Sequence, residues 1–354
     1  LGSYPITPAT DILQYISSYK NYGVKHLQAE DEIAGISSAI GAAYGGFLSA
    51  TTTSGPGLSL KIEALGLAVM TELPLVVVNV MRAGPSTGLP TKPEQSDLFQ
   101  AIYGRHGEAP LPVIAASSAS DCFQMTFEAA RIALKYMTPV ILLTDGYIAQ
   151  GSEPWRVPSV DELEKISVAF ATEQEGFEPY SRNENLSRPW AIPGTKGLEH
   201  RIGGLEKQYG SGKVSHDPEN HQKMIETRAE KIAGIEKDIP KLTIKGSEKG
   251  EILVLGWGST FGAINEAIDE LREEGLDISY GHLKYLNPFP SNLNEVLSNF
   301  RRIIVPEMNM GQLQHILQAR FVRKIEGIHK VKGKPFLISE VKDYIKNMAE
   351  EVPA

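Results

Sequence analysis

Short runs of apolar, β-branched residues alternate with stretches of helical period over the first 158 or so residues. Val24–Leu27, Leu48–Thr53, Leu75–Val80 and Val140–Thr144 predict buried strands. Between them Ile33, Ile36, Ile40 and Ala43 recur at helical spacing, as do Ile62, Leu65, Val69 and Met70. Such alternation predicts a parallel sheet covered by helices on both faces. Its working edge is expected at the C-terminal ends of the strands. The rhythm breaks from about 159 to 247, where Pro, Gly, Asn and charge dominate Glu173–Asp217 and the one long helical pattern is Asn220–Glu236. This segment reads as an irregular excursion, either packed on the first unit with small strands or serving as a flexible lid. A second α/β unit follows. Ile252–Leu255 is a strand, Gly256-Trp257-Gly258-Ser259 a turn, and Ile264, Ala267, Ile268 and Leu271 a helix face ended by Gly275. Another strand, Arg302–Val305, runs into Pro306-Glu307-Met308-Asn309. The expected architecture is α/β, with two parallel-sheet αβα domains at 1–247 and 248–354.

At 354 residues the chain can bury two cores. A net charge of −8 with no basic block argues against nucleic acid or an anionic membrane as partner. The longest apolar run, Pro74–Val80, has strand length and falls far short of the roughly 18 residues of a membrane span. Cys122 is the sole cysteine, so the 354 residues hold neither an internal disulfide nor the thiolates of an iron–sulfur cluster. A reducing cytoplasm fits, and any electron-transfer centre must sit on another chain.

Several segments carry candidate chemistry. Thr7-Pro8, after Tyr4-Pro5-Ile6, reads as a helix start with Thr as N-cap and Pro at the first helical position. The Thr7 hydroxyl could also meet a substrate carboxylate. Its closeness to Leu1 predicts that an upstream segment is missing. Glu30-Asp31-Glu32 opens the Ile33 helix, where acids are favoured by the helix dipole, and Ala34-Gly35 and Gly41-Ala42 leave that helix small enough for close approach of a flat ligand or a subunit. Thr53-Ser54-Gly55-Pro56-Gly57 resembles a phosphate cradle in composition but fits no phosphate-loop pattern, so a turn is expected. The most unusual stretch is Arg82–Asp97, sixteen aperiodic residues at the active edge of the sheet. Loops of that length in compact domains are usually functional. Arg82 leads as a carboxylate binder because its planar fork binds such groups bidentately. His216-Asp217-Pro218-Glu219-Asn220-His221 fits no zinc spacing and reads as a helix cap. Gly256–Ser259 lacks the third glycine of a dinucleotide fingerprint and reads as a turn.

Taken together, Tyr4–Pro8, Glu30–Ala34, Thr53–Gly57, Gly84–Asp97, His106-Gly107-Glu108-Ala109-Pro110 and Pro306–Leu313 resemble the α subunits of the 2-oxoacid:ferredoxin oxidoreductases, most of all the 2-oxoglutarate type. The segments occur in family order along nearly the whole chain. The resemblance implies a pyrimidine-binding domain of thiamine diphosphate enzymes followed by a transketolase C-terminal-like domain. It implies oxidative decarboxylation of a 2-oxoacid, with the acyl group passing to coenzyme A and electrons to ferredoxin. A β subunit would supply the diphosphate site, Mg²⁺ and a [4Fe-4S] cluster, and a γ domain or subunit could accompany it. By matching, Glu32 corresponds to the carboxyl that hydrogen-bonds the cofactor pyrimidine, with Glu30 as the alternative. Thr7 and Arg82 correspond to residues holding the 2-oxoacid carboxylate, and Lys92 is a further candidate for the substrate. Many members of that family carry an upstream helix, and often a whole additional domain, before the turn that Tyr4–Pro8 resembles. The alternatives are the same chemistry on pyruvate, branched-chain or aryl 2-oxoacids, or a non-catalytic assembly subunit.

Overall fold

The computed structural model describes residues 1–350. In chain order its first half runs β1 (Gly2–Ser3), α1 (Thr10–Ser17), β2 (Leu27–Gln28), α2 (Glu32–Tyr44), β3 (Ser49–Thr53), α3 (Gly55–Thr71), β4 (Leu75–Met81), α4 (Leu98–Tyr103), β5 (Val113–Ala115), α5 (Asp121–Tyr136), β6 (Pro139–Asp145) and α6 (Gly146–Gln150). A long irregular stretch leads to α7 (Pro218–Gly234) and β7 (Ile244–Lys245). Then come β8 (Gly250–Trp257), α8 (Phe261–Glu273), β9 (Ile278–Leu283), β10 (Tyr285–Asn287), α9 (Leu293–Ser298), β11 (Phe300–Glu307), α10 (Gln312–Phe321), β12 (Glu326–His329) and α11 (Ile338–Glu350).

One five-stranded sheet has the order β10-β5-β6-β4-β3, parallel except for β10. The other has the order β12-β11-β8-β9-β7, parallel except for β7. Side chains alternate across a strand, and the core follows that rule. Leu75 and Val77 pack with α2 and α3, whereas Val76 packs with Val140, Leu142 and the Ala129–Ala133 face of α5. Burial on both faces explains the unbroken apolar runs of β4 and β6. In the second sheet Ile252 and Val254 meet Ile264, Ala267 and Ile268 of α8 and Val341 of α11. The opposite face, through Leu253, Leu255 and Trp257, joins the same core as Leu65, Leu75 and Leu143. The two sheets therefore share one apolar interior, and β10 crosses from the second half to pair with β5 of the first sheet. Two αβα layers result, as the strand–helix alternation predicts.

The structure departs from the sequence pattern at the start of the chain. Val24–Leu27 is not a buried strand: Val24 and Leu27 are exposed, and the strand is Leu27–Gln28, an exposed edge paired in parallel with the buried β1. The Tyr4–Pro8 turn, read above without a strand before it, follows a two-residue strand, Gly2–Ser3, whose Ser3 Oγ accepts a hydrogen bond from the Thr52 N–H at 2.9 Å. Thr7 is not a helix cap. Ile6 O accepts the N–H groups of Ala9 and Thr10 at 2.7 and 3.1 Å, so a tight turn closes first and α1 begins only at Thr10, with Ala9 before it.

The 159–247 excursion is packed rather than loose. Trp190 Nε1 donates to Ala43 O at 3.0 Å, and buried Tyr180 donates to Met70 O at 3.3 Å. Its anchor is Glu72, just past α3, which accepts both terminal nitrogens of Arg182 at 2.5 and 2.7 Å and Lys231 Nζ at 2.6 Å. Isolated bridges (Phe170 with Trp190, Tyr180 with Gly210, Lys207 with Val214) supply the small strand-like contacts. Asp217 caps α7 through its Oδ1, which accepts the Asn220 N–H at 2.7 Å. Among the described residues no helix is long and apolar enough to cross a membrane.

Candidate active site

The C-terminal ends of β3 and β4 carry the groups that the sequence singles out. At the start of α2, Asp31 is the N-cap and its Oδ1 accepts the Ala34 N–H at 2.7 Å. With Asp31 spent on the cap, Glu32 occupies the first helical position and turns inward, to 8% exposure, while Glu30 and Asp31 stay in solvent. The structure thus separates the two candidate glutamates. The Glu32 side chain lies over the first turn of α3, and the glycine at 57 makes room for it. A Cβ at Gly57 would stand 3.0 Å from both Cγ and Oε1 of Glu32 and 2.2 Å from Thr53 Oγ1. Lys61, one turn further along α3 and wholly buried, donates its Nζ to Glu32 O at 2.9 Å. Burial pulls the Lys61 ammonium down to about 8, against the opposing pull of Glu32 and Asp31.

Thr53–Gly57 is the strand-to-helix turn expected, and it also forms one lip of a cleft. Gly55, Pro56 and Ser59 face that cleft, whose volume is about 610 Å³. Ser54, the residue before α3, has a buried hydroxyl with no partner. At the end of β4, Arg82 is 7% exposed and also lines the cleft. Its Nη1 donates to Thr7 O at 2.7 Å, and its buried Nε has no partner among the described residues. Arg82 and Thr7 are therefore brought together, though through the Thr7 carbonyl; the Thr7 residue itself is exposed.

The Arg82–Asp97 loop returns on itself: Ala83 N donates to Lys92 O at 2.9 Å and Leu89 N to Ala83 O at 3.0 Å. It then delivers Glu94, Ser96 and Asp97 to the cleft. Ser96 Oγ lies 2.9 Å from both Arg82 O and Asp97 Oδ1, which share its one proton, and Asn79 Nδ2 donates to Asp97 Oδ2 at 2.9 Å. Burial raises the Asp97 carboxyl, opposed by the Asn79 and Ser96 donors and the Arg82 charge. Burial also raises Glu94, opposed by the N–H groups of Gly84 and Gly333. Lys92 is exposed, packs against Gly333 and does not line the cleft.

The second half of the chain closes the cleft with Asn309, Met310, Gln312 and Val331. Its Gly256–Ser259 turn ends β8 and bears structural bonds, with Ser259 Oγ donating to buried Asp145. Sequence reasoning assigned no role to Lys61, Gln95, Asp97 or Asn309. For Lys61 a signal existed, since it interrupts the Leu58, Leu65 and Ala68 stripe of α3.

The two αβα layers that carry this site define the class by fold: an α/β fold shared with the transketolases. A split-gene transketolase, at 10% identity, superposes with a TM-score of 0.54 over 98% of this chain and 90% of its own. The chain belongs to the 2-oxoacid:ferredoxin oxidoreductase α subunits: residues 1–219 match the family described as pyruvate flavodoxin/ferredoxin oxidoreductase, thiamine diphosphate-binding, and residues 250–341 match pyruvate:ferredoxin oxidoreductase core domain II. It is 54% identical over 348 residues to the 2-oxoglutarate oxidoreductase subunit KorA of Mycobacterium tuberculosis, covering 98% of this chain and 53% of that protein. It is 35% identical to the 2-oxoglutarate synthase subunit KorA of Methanocaldococcus jannaschii, covering 92% of this chain and 87% of that subunit. A 2-oxoglutarate:ferredoxin oxidoreductase from Magnetococcus marinus, solved with 2-oxoglutarate, coenzyme A and succinyl-CoA bound, superposes with a TM-score of 0.94 at 37% identity. That match covers 98% of this chain and 61% of the other. The chain thus spans about half the length of the first of these relatives.

Proposed function

We propose that this chain provides the pyrimidine-binding and substrate-holding part of a 2-oxoglutarate:ferredoxin oxidoreductase. The complex would convert 2-oxoglutarate, coenzyme A and two oxidised ferredoxins to succinyl-CoA, CO₂, a proton and two reduced ferredoxins. The observation that carries this reading is the Glu32 carboxyl, buried at the first position of α2 over Gly57, beside a cleft whose one lining arginine keeps a buried, unpartnered Nε. Those features suit thiamine diphosphate: Glu32 offers a carboxyl to a pyrimidine ring nitrogen, and Gly57 makes room for that carboxyl over the turn. When bound, the cofactor supplies the nucleophilic carbon and the electron sink that decarboxylation needs.

The residues of this chain have separable tasks. Glu32, nearly buried, would hold a hydrogen bond to the bound pyrimidine largely away from water, where it polarises its partner more strongly than in solution. Asp31 and Lys61 fix the backbone that carries it. Arg82, with its backbone held by Ser96 and one nitrogen given to Thr7 O, orients the substrate carboxylate by the rest of its fork. Because that carboxylate leaves as CO₂, Arg82 must orient it without over-stabilising it, and the nearby Asp97 tempers the positive field. Thr7 contributes alongside Arg82. Lys92 belongs to the outer wall of the loop, where a longer acid could reach it only from outside the cleft. A partner β subunit carries the diphosphate site, Mg²⁺ and an iron–sulfur cluster, and the assembly works in the cytoplasm. The sole cysteine of this chain agrees with a cluster held elsewhere.

The test is acceptor reduction by the reconstituted complex with 2-oxoglutarate, pyruvate, branched-chain and aryl 2-oxoacids. Preference for 2-oxoglutarate in kcat/KM is expected, and a preference for pyruvate would overturn the substrate. For Arg82→Ala a sharply raised KM or lowered kcat is expected; unchanged kinetics across the acids would remove Arg82 from the substrate site.

A further inference from the structure

One residue of the long loop joins the second half of the chain to the cleft. Gln95 is wholly buried and makes four hydrogen bonds to that half. Its Nε2 donates to Trp257 O at 2.8 Å, and its Oε1 accepts the Met308 N–H at 2.8 Å. Its backbone N–H donates to Met308 O at 3.1 Å, and its carbonyl accepts Asn309 Nδ2 at 2.9 Å. Next in sequence, Ser96 donates to Arg82 O and accepts Gln312 Nε2 on its own carbonyl at 2.8 Å. Two covalently adjacent residues therefore connect the ends of β8 and β11 to the backbone of Arg82.

Asn309 is fixed just as firmly. Its Oδ1 accepts the N–H groups of Gly311 and Gln312 at 2.7 and 2.9 Å, and its Nδ2 also donates to Glu307 Oε1 at 3.0 Å. Glu307 is in turn gripped by Trp257 Nε1 and by the N–H groups of Leu313 and Gln314 at the start of α10. Every polar atom of the Asn309 amide is thus committed within the protein. Although Asn309 lines the cleft, its amide is occupied in holding Gln95 rather than available to bind substrate.

We propose that Gln95 and Asn309 are positioning residues: they set where the Arg82 guanidinium stands over the cleft, so that the second half of the chain fixes the substrate geometry of the first. The proposal rests on the reading of Arg82 as the group that holds the 2-oxoacid carboxylate. A misplacement of about 1 Å in such a group costs on the order of 100-fold in rate. The cofactor carboxyl, Glu32, is bonded to a different part of the scaffold and should not respond.

The experiment uses the complete complex carrying Gln95→Met, which keeps length and loses both side-chain bonds, or Asn309→Ala, which loses the bond to the Gln95 carbonyl. Both should lower kcat/KM for the 2-oxoacid by about 10- to 100-fold, with thiamine diphosphate affinity within about twofold of the parent. Gln95→Glu should regain activity as pH falls, because the protonated acid again offers a donor to Trp257 O and an acceptor to Met308 N–H. Parent-like kcat/KM in both Gln95→Met and Asn309→Ala would overturn the proposal. So would a parallel loss of cofactor affinity and assembly, which is the mark of a purely structural joint. If Arg82→Ala also turned over normally, the reading of Arg82 would be at fault; normal Gln95 variants beside an inactive Arg82→Ala would strike the positioning role alone.

Discussion

Replacing Gly57 by alanine tests how the Glu32 carboxyl is held without touching a charged group. The added methyl would stand 2.2 Å from Thr53 Oγ1 and 3.0 Å from Cγ and Oε1 of Glu32. Thr53 is fully buried at the end of β3, so it cannot swing into solvent, and the clash must be shared with Glu32. Overpacking of this kind costs about 1–3 kcal/mol. The helix propensity gained by losing a glycine returns at most about 1 kcal/mol. Net destabilisation should therefore be about 0–3 kcal/mol, below the roughly 5–15 kcal/mol of a typical native protein. The functional effect should be far larger, because a carboxyl moved by several tenths of an ångström to 1 Å loses on the order of 10- to 100-fold in rate. Thermal melting and 2-oxoacid-dependent acceptor reduction on the same preparation separate the two effects. Gly66→Ala is the control, since a Cβ there meets nothing within 4 Å on the same helix. Near-parent turnover by Gly57→Ala, together with a lowered melting temperature, would refute the claim that the site depends on the placement of Glu32.

Removing Arg182 by Arg182→Ala should cost about 3–5 kcal/mol, because Glu72 stays buried with only Lys231 beside it. Burial alone would raise Glu72, but Lys231 and Arg182 outweigh it and hold the carboxyl at about 2, below the ordinary 4.5. That stability is present above 4.5 and lost as pH falls toward 2, so the gap between parent and Arg182→Ala should narrow across this window; urea midpoints at several pH values read it, and a constant gap would contradict it. Lys61 has the opposite sense. Its value is lowered to about 8 from 10.5, so between these the unfolded chain binds more protons and stability from this group rises with pH. The stability of the parent relative to Lys61→Met should accordingly increase from pH 8 to about 10.5, and paired denaturant unfolding would show a flat difference if the ammonium were not buried.

Much of the fold is legible because strands buried on both faces leave unbroken apolar runs, as in β4 and β6, and because α3 and α8 carry regular apolar stripes. β5 and β10, of three residues each, are too short to show a period. Val24–Leu27 misleads because its apolar residues lie at an exposed edge rather than in a core. Thr7-Pro8 misleads for a different reason: the residue types that start helices also build tight turns, and the Ile6 carbonyl decides between them. Within the site, Arg82 and the Glu30–Glu32 cluster are visible from type and position at the ends of strands. The choice of Glu32 over Glu30 becomes physical only once Asp31 is seen as the cap. The joint between Gln95 and Asn309 spans more than two hundred residues of sequence and has no local signature. Such contacts are products of tertiary packing, and only the folded chain displays them.

The most direct test of the central claim is acyl-CoA formation by the αβ complex carrying Glu32→Ala, measured with saturating thiamine diphosphate, Mg²⁺ and 2-oxoglutarate. If Glu32 is the carboxyl that engages the cofactor, the variant assembles and melts like the parent but forms no succinyl-CoA above background. Near-parent turnover in a well-assembled complex would contradict the account.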